Sequence, residues 1–188
     1  ASMLEKHLVA TRGVERVTLA GALRRKMEVI NAFNVVVTWP ADQETSAFIK
    51  ALHAIPNVTN AVASRTRQVS AISPTGLPII VTLARSDDHD FHLLRSTGSV
   101  DHLQQLLERF AGKGLPTWPS VQGHVKGLSE QAIYRTAGLP FVPPALREGR
   151  GELDFSPADL QRLIEPSQIQ GFFHLHTDYS DGSGTLEE

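Results

Sequence analysis

Residues 20–37 read AGALRRKMEVINAFNVVV, and the rest of the chain is interpreted around this stretch. It contains a small-residue turn at Gly21, a basic cluster at residues 24–26, and then a run of β-branched and aromatic residues from Phe33 to Trp39. Such a run predicts a buried strand. Residues 14–19 alternate imperfectly between apolar and polar and predict the strand that precedes the turn.

The remaining pattern predicts a mixed α and β domain. Further strands are predicted at 58–64, 68–72 and 77–83, and helices at 42–53 or 45–53, 86–95, 100–113, 129–137 and 156–164. Residues 138–144 are predicted to be extended, and residues 147–151 to form a mobile loop. A sheet of about five strands with helices on one face follows, which is an α+β layer architecture.

Composition narrows the class of protein. Apolar residues make up 41% of the chain and charged residues 20%, which predicts a globular domain rather than a disordered segment. No apolar run approaches the roughly 18 residues that a membrane span needs, so we expect no membrane partner. The chain has no cysteine, so any metal must be held by its 8 histidines and 20 acids, and we expect a cytoplasmic location. The net charge of −2 does not give the basic field of a strong nucleic-acid binder.

The turn and the strand after it have an outline that suits phosphate chemistry. Nucleotidyl transfer from a triphosphate needs two metal ions clamped by carboxylates, together with basic or backbone donors for the phosphates. Two acids at positions i and i+2 of one strand would point to the same face. Here those positions hold Ala32 and Asn34.

The stretch resembles the palm signature of family X DNA polymerases, the polymerase-beta-like group. That signature runs Gly-Ser, two basic residues, then Gly-Asp-x-Asp. In this chain Ala22 stands at the serine position, Asn31 at the second glycine, and Ala32 and Asn34 at the two aspartates. Ile80 is the best match to the family's third aspartate. The resemblance therefore implies a polymerase-beta-like nucleotidyltransferase palm, followed by a small thumb subdomain, without its metal-binding acids.

A second motif supports the resemblance. Residues 96–99 read STGS and resemble the family's Tyr-Phe-Thr-Gly-Ser turn, against which the sugar of the incoming nucleotide packs, but Arg95 and Ser96 replace the two aromatic residues. The resemblance implies the nucleotide-binding residues Gly21, Arg24, Arg25, Thr97, Gly98 and Ser99. A basic run such as residues 24–26 is also typical of a solvated face, so that alternative stays open.

The strongest match is residues 138–152, GLPFVPPALREGRGE, which resemble the connector between the thumb and a C-terminal PHP phosphoesterase domain. Residues 174–182, HLHTDYSDG, then match the opening PHP motif. Alternate residues of a strand project to one side, so His174 and His176 could both bind a metal, with Asp181 as an oxygen ligand. We expect this site to be incomplete within these residues. The parent family uses divalent Mg, Mn or Zn, and we expect no metal in the palm.

The resemblance divides the chain into three predicted parts. Residues 1–112 would form the palm, 113–152 the thumb and connector, and 153–188 a linker and the start of the PHP domain. We expect a catalytically inactive portion of a polymerase that serves as a DNA-binding or scaffold module for the PHP domain, its intramolecular partner. DNA is the expected partner, and any binding of a nucleoside triphosphate is expected to be weak.

Two alternatives remain. In the first, the polymerase is active and Asp87, Asp88 or Asp90 stand in for the missing acids. In the second, the chain is a structural interaction domain with no affinity for nucleotides or DNA.

Several other residues have simpler interpretations than binding. The acids at 87–90 are more simply explained by capping of the following helix and by its dipole. Arg65 and Arg67 are expected on an exposed turn, and Trp118 is expected to be a packed loop anchor rather than a surface on which bases stack.

Overall fold

The computed structural model describes residues 2–65, 67–164, 166–171, 176, 181–182 and 184. The chain divides into two compact units, Ala1–Phe155 and Ser156–Glu188. In the described part of the chain, no helix is long and apolar enough to span a membrane.

A helix precedes each of the first three strands, the third to fifth strands follow one another directly, and the described elements after the fifth strand are helical. The strands are β1 Arg16–Ala20, β2 Phe33–Thr38, β3 Thr59–Arg65, β4 Gln68–Ile72 and β5 Pro78–Ala84. The α-helices of the described residues are α1 Ser2–Val9, α2 Gly21–Arg24, α3 Thr45–His53, α4 His89–Thr97, α5 Val100–Gly112, α6 Val121–His124, α7 Glu130–Thr136 and α8 Pro157–Gln161. Short 3-10 helices lie at Pro144–Leu146, Glu152–Asp154 and Pro166–Gln168.

The five strands form one mixed sheet in the order β1-β2-β5-β4-β3. Strand β2 pairs antiparallel with β1 and parallel with β5, and the other two pairings are antiparallel. Parallel neighbours need a crossover connection. Here that connection runs from β2 through α3 and the β3–β4 hairpin to β5. The prediction of an α+β fold with a mixed sheet of about five strands is confirmed, and this sheet is consistent with a polymerase-beta-like palm.

Strand β2 is buried on both faces, which explains its β-branched sequence. Val35 and Val37 lie in the larger core, where Phe48 and Leu52 of α3 and Leu8 of α1 pack. Val36 points to the opposite face and packs with Ala84 and with Leu93 of α4. The sequence prediction placed all helices on one face, and α4 is the exception. A strand whose residues are apolar on both faces does not by itself indicate which helix covers each face.

A second core lies outside the sheet and gathers the helices after β5. It includes Phe91 of α4, Phe110 of α5, Tyr134 of α7 and Val142 of the connector. Trp118 packs against this core, with its ring centroid 5.0 Å from that of Phe91. Its predicted role as a packed anchor is confirmed. This core contains residues from before and after residue 112, the predicted boundary between palm and thumb. The three-part division of the chain stays a prediction.

Local sequence signals correctly predicted some helix starts and missed others. Ser99 and Ser129 cap α5 and α7, and in the second unit Ser156 caps α8 in a capping box with Asp159. Helix α1 was not predicted at all. Asp88 occupies the N-cap position of α4 and Asp90 lies in its first turn, as the capping and helix-dipole interpretation predicted, but Asp88 makes no side-chain hydrogen bond to the helix.

His89 is a buried polar residue that joins α4 to the sheet. Its Nδ1 lies 2.7 Å from Thr38 Oγ1, and its Nε2 lies 3.0 Å from Thr18 Oγ1. Burial, and then the positive charge of Arg16, lower the pKa of His89 to about 4 from its usual 6.5. The folded protein therefore holds this ring neutral over a pH range in which the unfolded chain would protonate it.

We expect the free energy of unfolding to fall as the pH drops below 6.5, the usual pKa of a histidine, towards 4. The unfolded state binds a proton on His89 in that range and the folded state does not, so protonation favours unfolding. Between about pH 7.5 and about pH 5 this histidine should remove about 2 kcal/mol. Urea unfolding at both pH values should show a loss smaller by that amount for His89→Gln than for the wild type. Equal losses in the two proteins would contradict the assignment, since His92 and His102 are present in both.

Candidate functional site

A cleft of about 640 Å³ opens between helix α4 and the face of the sheet that carries Asn34 and Ile80. Its walls come from β2, β4, β5, α4 and α6. The lining residues are Asn34, Arg67, Gln68, Ile80, Thr82, Leu83, Arg85, Asp88, His92, Arg95, Ser96 and Gln122. The volume falls within the usual range for small-molecule sites.

The three positions predicted to correspond to the family's aspartates lie at one end of this sheet face. Asn34 is paired with Ile80 across the parallel β2–β5 ladder. Ala32 comes just before the first residue of β2, two positions from Asn34. Strand pairing therefore brings together residues 34 and 80, which are far apart in sequence.

These side chains do not fit a divalent metal site. Mg²⁺ and Mn²⁺ prefer carboxylate oxygens, and the three positions offer a methyl group, one amide and an aliphatic chain. Among the residues that the structure describes, no group of three or more His, Asp or Glu side chains is placed to hold a metal ion.

Gly21 is held against this end of the sheet by two constraints. Its φ of 64° is in the left-handed region, which glycine adopts without strain. A Cβ atom at this position would also lie 2.5 Å from Asn34 Nδ2. The turn after β1 therefore packs directly on the side chain of Asn34, and the glycine of the predicted small-residue turn has a steric reason.

Arg24 and Arg25, the predicted phosphate-binding arginines, have carboxylate partners within the protein. Arg24 donates from Nη1 and Nη2 to the two oxygens of Glu130, at 3.0 and 2.7 Å. Arg25 donates from Nε to Glu148 Oε1 at 2.6 Å. Their binding of phosphate stays a prediction, and a phosphate would have to compete with these carboxylates.

The Thr97-Gly98-Ser99 turn lies beside these arginines. Thr97 accepts a hydrogen bond from Arg24 at its hydroxyl and one from Arg25 at its carbonyl. Ser99 Oγ accepts from the backbone N–H of His102 and so caps α5. The structure thus brings Arg24, Arg25 and the turn together. None of the six predicted nucleotide-binding residues, all of which are described, is among the residues that line the cleft.

Sequence reasoning missed the buried charges behind this turn. Arg147 is fully buried and donates from Nη1 to Glu130 Oε1, which also accepts from Arg24. Its guanidinium carbon lies 5.1 Å from the ring centroid of Tyr134 and 5.3 Å from that of Phe141. The predicted mobile loop at 147–151 is therefore wrong at Arg147, whose long charged side chain has a partner in the core.

Glu130 is the common partner of the two arginines. Burial by itself would raise the pKa of Glu130, but the hydrogen bonds and charges of Arg24 and Arg147 outweigh it and hold the pKa below its usual value. The side chain of Glu130 is only 8% exposed, so these pairs are little screened by water. The carboxylate is therefore charged at neutral pH and balances two cations.

A further buried pair fastens the connector to α5. His102 Nδ1 lies 2.5 Å from Glu152 Oε1, and His102 Nε2 lies 2.7 Å from Tyr134 Oη. Glu152 also accepts hydrogen bonds from the backbone N–H groups of Gly149 and Arg150. The connector at 138–152 is thus anchored by its charged residues as well as by its apolar ones.

The three acids at 87–90 have different partners. Asp87 pairs with Lys126, and Asp90 pairs with Arg16 and accepts from the backbone N–H of Glu130. Of the three, only Asp88 lines the cleft. Its oxygens accept from the Arg85 N–H and from Gln122, and it lies 3.7 Å from His92.

The predicted metal ligands of the second unit can be followed only in part. His174 lies outside the described residues. His176 Nδ1 and Asp181 Oδ1 are in contact, which shows that these two side chains can meet. Metal binding by His174, His176 and Asp181 stays a prediction.

We expect Glu130→Gln to destabilise the protein by about 3–5 kcal/mol, because it leaves Arg147 buried without a compensating charge. Asp154→Asn is a matched control, since it also turns a carboxylate into an amide within an arginine pair, but Asp154 is 69% exposed. Such a surface pair contributes about 0–1 kcal/mol. Urea unfolding of both variants measures the difference, and similar losses would show that the Glu130 network does not hold the two cores together.

Sequence comparison with known proteins agrees with the interpretation of the fold. No protein-family profile matches the chain. The chain is 29% identical over 198 residues to the DNA polymerase/3′-5′ exonuclease PolX of Bacillus subtilis (strain 168). The match takes in the whole of this chain and 34% of that protein, so the chain spans about a third of the length of this relative. The similarity supports a relationship to family X DNA polymerases, in agreement with the palm-like sheet.

Proposed function

We propose that this chain is the palm and thumb of a family X DNA polymerase-like protein whose polymerase site has lost its metal-binding acids. In this proposal it serves as a DNA-binding or scaffold module for an attached PHP phosphoesterase domain in the cytoplasm. One observation carries the proposal: Asn34 and Ile80 are direct neighbours across β2 and β5, at the end of the sheet where the Gly21 turn packs.

The loss of three carboxylates matters because of what they do in two-metal chemistry. Two divalent cations bring four positive charges, and carboxylates are needed to hold them close to each other and to the phosphates. A set of Ala32, Asn34 and Ile80 supplies no negative charge. We therefore derive no catalytic step for this chain.

The module role rests on the relative and on the charge of the cleft. The relative's name describes a polymerase that is also an exonuclease, so it acts on DNA. In this chain the cleft keeps three arginines and one aspartate among its lining residues. Such a surface would attract a phosphate backbone, and the binding would weaken with salt.

One observation favours the alternative of an active site with displaced acids. Asp88 lines the same cleft as Asn34 and Ile80. A single carboxylate that is already engaged by Gln122, His92 and a backbone N–H is a poor metal clamp, so this alternative is second.

We expect that restoring the acids creates a metal site. Asn34→Asp is nearly isosteric, and with Ala32→Asp and Ile80→Asp it would place three carboxylates at one end of β2 and β5. The triple variant should be destabilised without metal by repulsion between the acids. Mn²⁺ at 100-fold over its dissociation constant should then stabilise it by about 2.7 kcal/mol. Thermal unfolding with and without Mn²⁺ measures this, and the wild type should show no Mn²⁺ shift.

A Mn²⁺ shift in the wild type that Asp88→Ala abolishes would favour the displaced-acid alternative. A triple variant that folds and shows no shift would mean that the three positions do not correspond to the family's aspartates.

For the module role, we expect the chain to retard primed or gapped DNA in a gel at low salt, without added divalent metal. Because the contacts would be to phosphates, the affinity should fall steeply as salt rises. A neutral-backbone peptide nucleic acid of the same sequence is the control and should not bind. No retardation of DNA at low salt would leave only the scaffold role or a structural interaction domain.

A further inference from the structure

Three arginines face the cleft at the place where a polymerase palm would hold metal ions. Arg67, Arg85 and Arg95 all line it, together with one acid, Asp88. Unlike Arg24 and Arg25, none of the three forms a salt bridge with a carboxylate within the described residues. This part of the molecule therefore carries an excess of positive charge.

Arg67 is held in place by the backbone. Its Nε donates to the carbonyl of Leu83 at 2.9 Å, and its Nη2 donates to the carbonyl of Trp39 at 2.6 Å. The residue has φ of 56°, a left-handed conformation that is uncommon for a side chain of this size. The prediction of a simple exposed turn is wrong for Arg67, because these carbonyls fix its guanidinium at the wall of the cleft.

Arg85 and Arg95 are exposed and also line the cleft. Arg85 follows the last residue of β5, and Arg95 lies in the last turn of α4. Burial, and then repulsion by the positive charge of Arg85, lower the pKa of Arg67, and the charge of Asp88 opposes them. A bound anion would relieve that repulsion.

The other polar groups of the cleft do not cancel this charge. Asp88 is the one acid among the lining residues. Burial lowers the pKa of His92, with smaller contributions of the same sign from Arg95 and Arg67 and an opposing one from Asp88. With His92 neutral, three positive charges face one negative charge. Asn34, Gln68 and Ser96 add uncharged hydrogen-bonding groups.

We propose that this cleft binds phosphate groups without a divalent cation, and that Arg67, Arg85 and Arg95 supply the positive charge that metal ions supply in a two-metal site. The ligand is a nucleotide triphosphate or the backbone of a nucleic-acid strand, which share this chemistry. Arginine suits the role because its planar guanidinium donates two parallel hydrogen bonds to a phosphate. The inference rests on the proposed loss of the metal-binding acids.

The test uses the 188-residue chain and two double variants of equal charge. Arg85→Glu with Arg95→Glu reverses two exposed arginines of the cleft. Arg12→Glu with Arg135→Glu reverses two exposed arginines that are outside the lining. Both change the net charge by the same amount, so a general effect of charge is separated from an effect of the cleft.

Isothermal titration in EDTA is carried out with inorganic tripolyphosphate, with dTTP, and with a single-stranded oligonucleotide that lacks terminal phosphates. We expect the wild type to bind at least one of these phosphate ligands in EDTA, with no gain on adding Mg²⁺ or Mn²⁺. The affinity of the cleft variant should be about tenfold or more lower than that of the wild type, and the affinity of the control variant should be within about twofold of the wild type.

Binding of the triphosphates alone identifies a nucleotide site. Competition between the oligonucleotide and tripolyphosphate identifies a strand.

The proposal is overturned by a wild type that binds none of the three ligands in EDTA, by binding that requires a divalent metal, or by equal weakening in both double variants. Circular dichroism checks folding, and Arg85→Ala with Arg95→Ala replaces the cleft variant if charge reversal unfolds it. DNA retardation with no binding of tripolyphosphate, dTTP or the oligonucleotide in EDTA would overturn the cleft inference and leave the module role intact. Tripolyphosphate binding without DNA retardation would leave the cleft inference intact and remove the DNA-binding role.

Discussion

The carboxylate of Glu130 is the constraint on which the arrangement of the first unit depends. It bonds to Arg24, which follows the first strand, and to Arg147, which comes from the connector and is fully buried. These contacts join the turn beside the sheet to the second hydrophobic core. An isolated buried arginine would be costly, so Arg147 requires the carboxylate of Glu130. The position of the Thr97 turn follows, because Arg24 and Arg25 also bond to it.

The arginines of the first unit have two different roles. Arg24, Arg25 and Arg147 are neutralised by Glu130 and Glu148 and hold the fold together. Arg67, Arg85 and Arg95 line a cleft in which Asp88 is the one acid among the lining residues. Two of the structural arginines, Arg24 and Arg25, are the ones that the resemblance to polymerases pointed to. The arginines of the cleft lie in positions that no motif marked.

Much of the fold could be predicted from the sequence, and the candidate site only in part. The β-branched run of β2 and the starts of α7 and α8 at Ser129 and Ser156 could be predicted because these signals act over a few residues. The partners of Arg24 could not be predicted, since Glu130 lies 106 residues further along the chain. Arg147 was misjudged because a charged residue in a Gly-rich stretch is usually exposed.

The sequence by itself determined that Ala32, Asn34 and Ile80 carry no charge, and that the Gly21 turn precedes a buried strand. These are properties of side-chain chemistry and local pattern. Only the tertiary structure decided that Asn34 and Ile80 are neighbours, because the register of two parallel strands depends on the crossover between them. It also decided which arginines are paired and which face the cleft, since the balance of charge around a side chain is set by residues brought together in space.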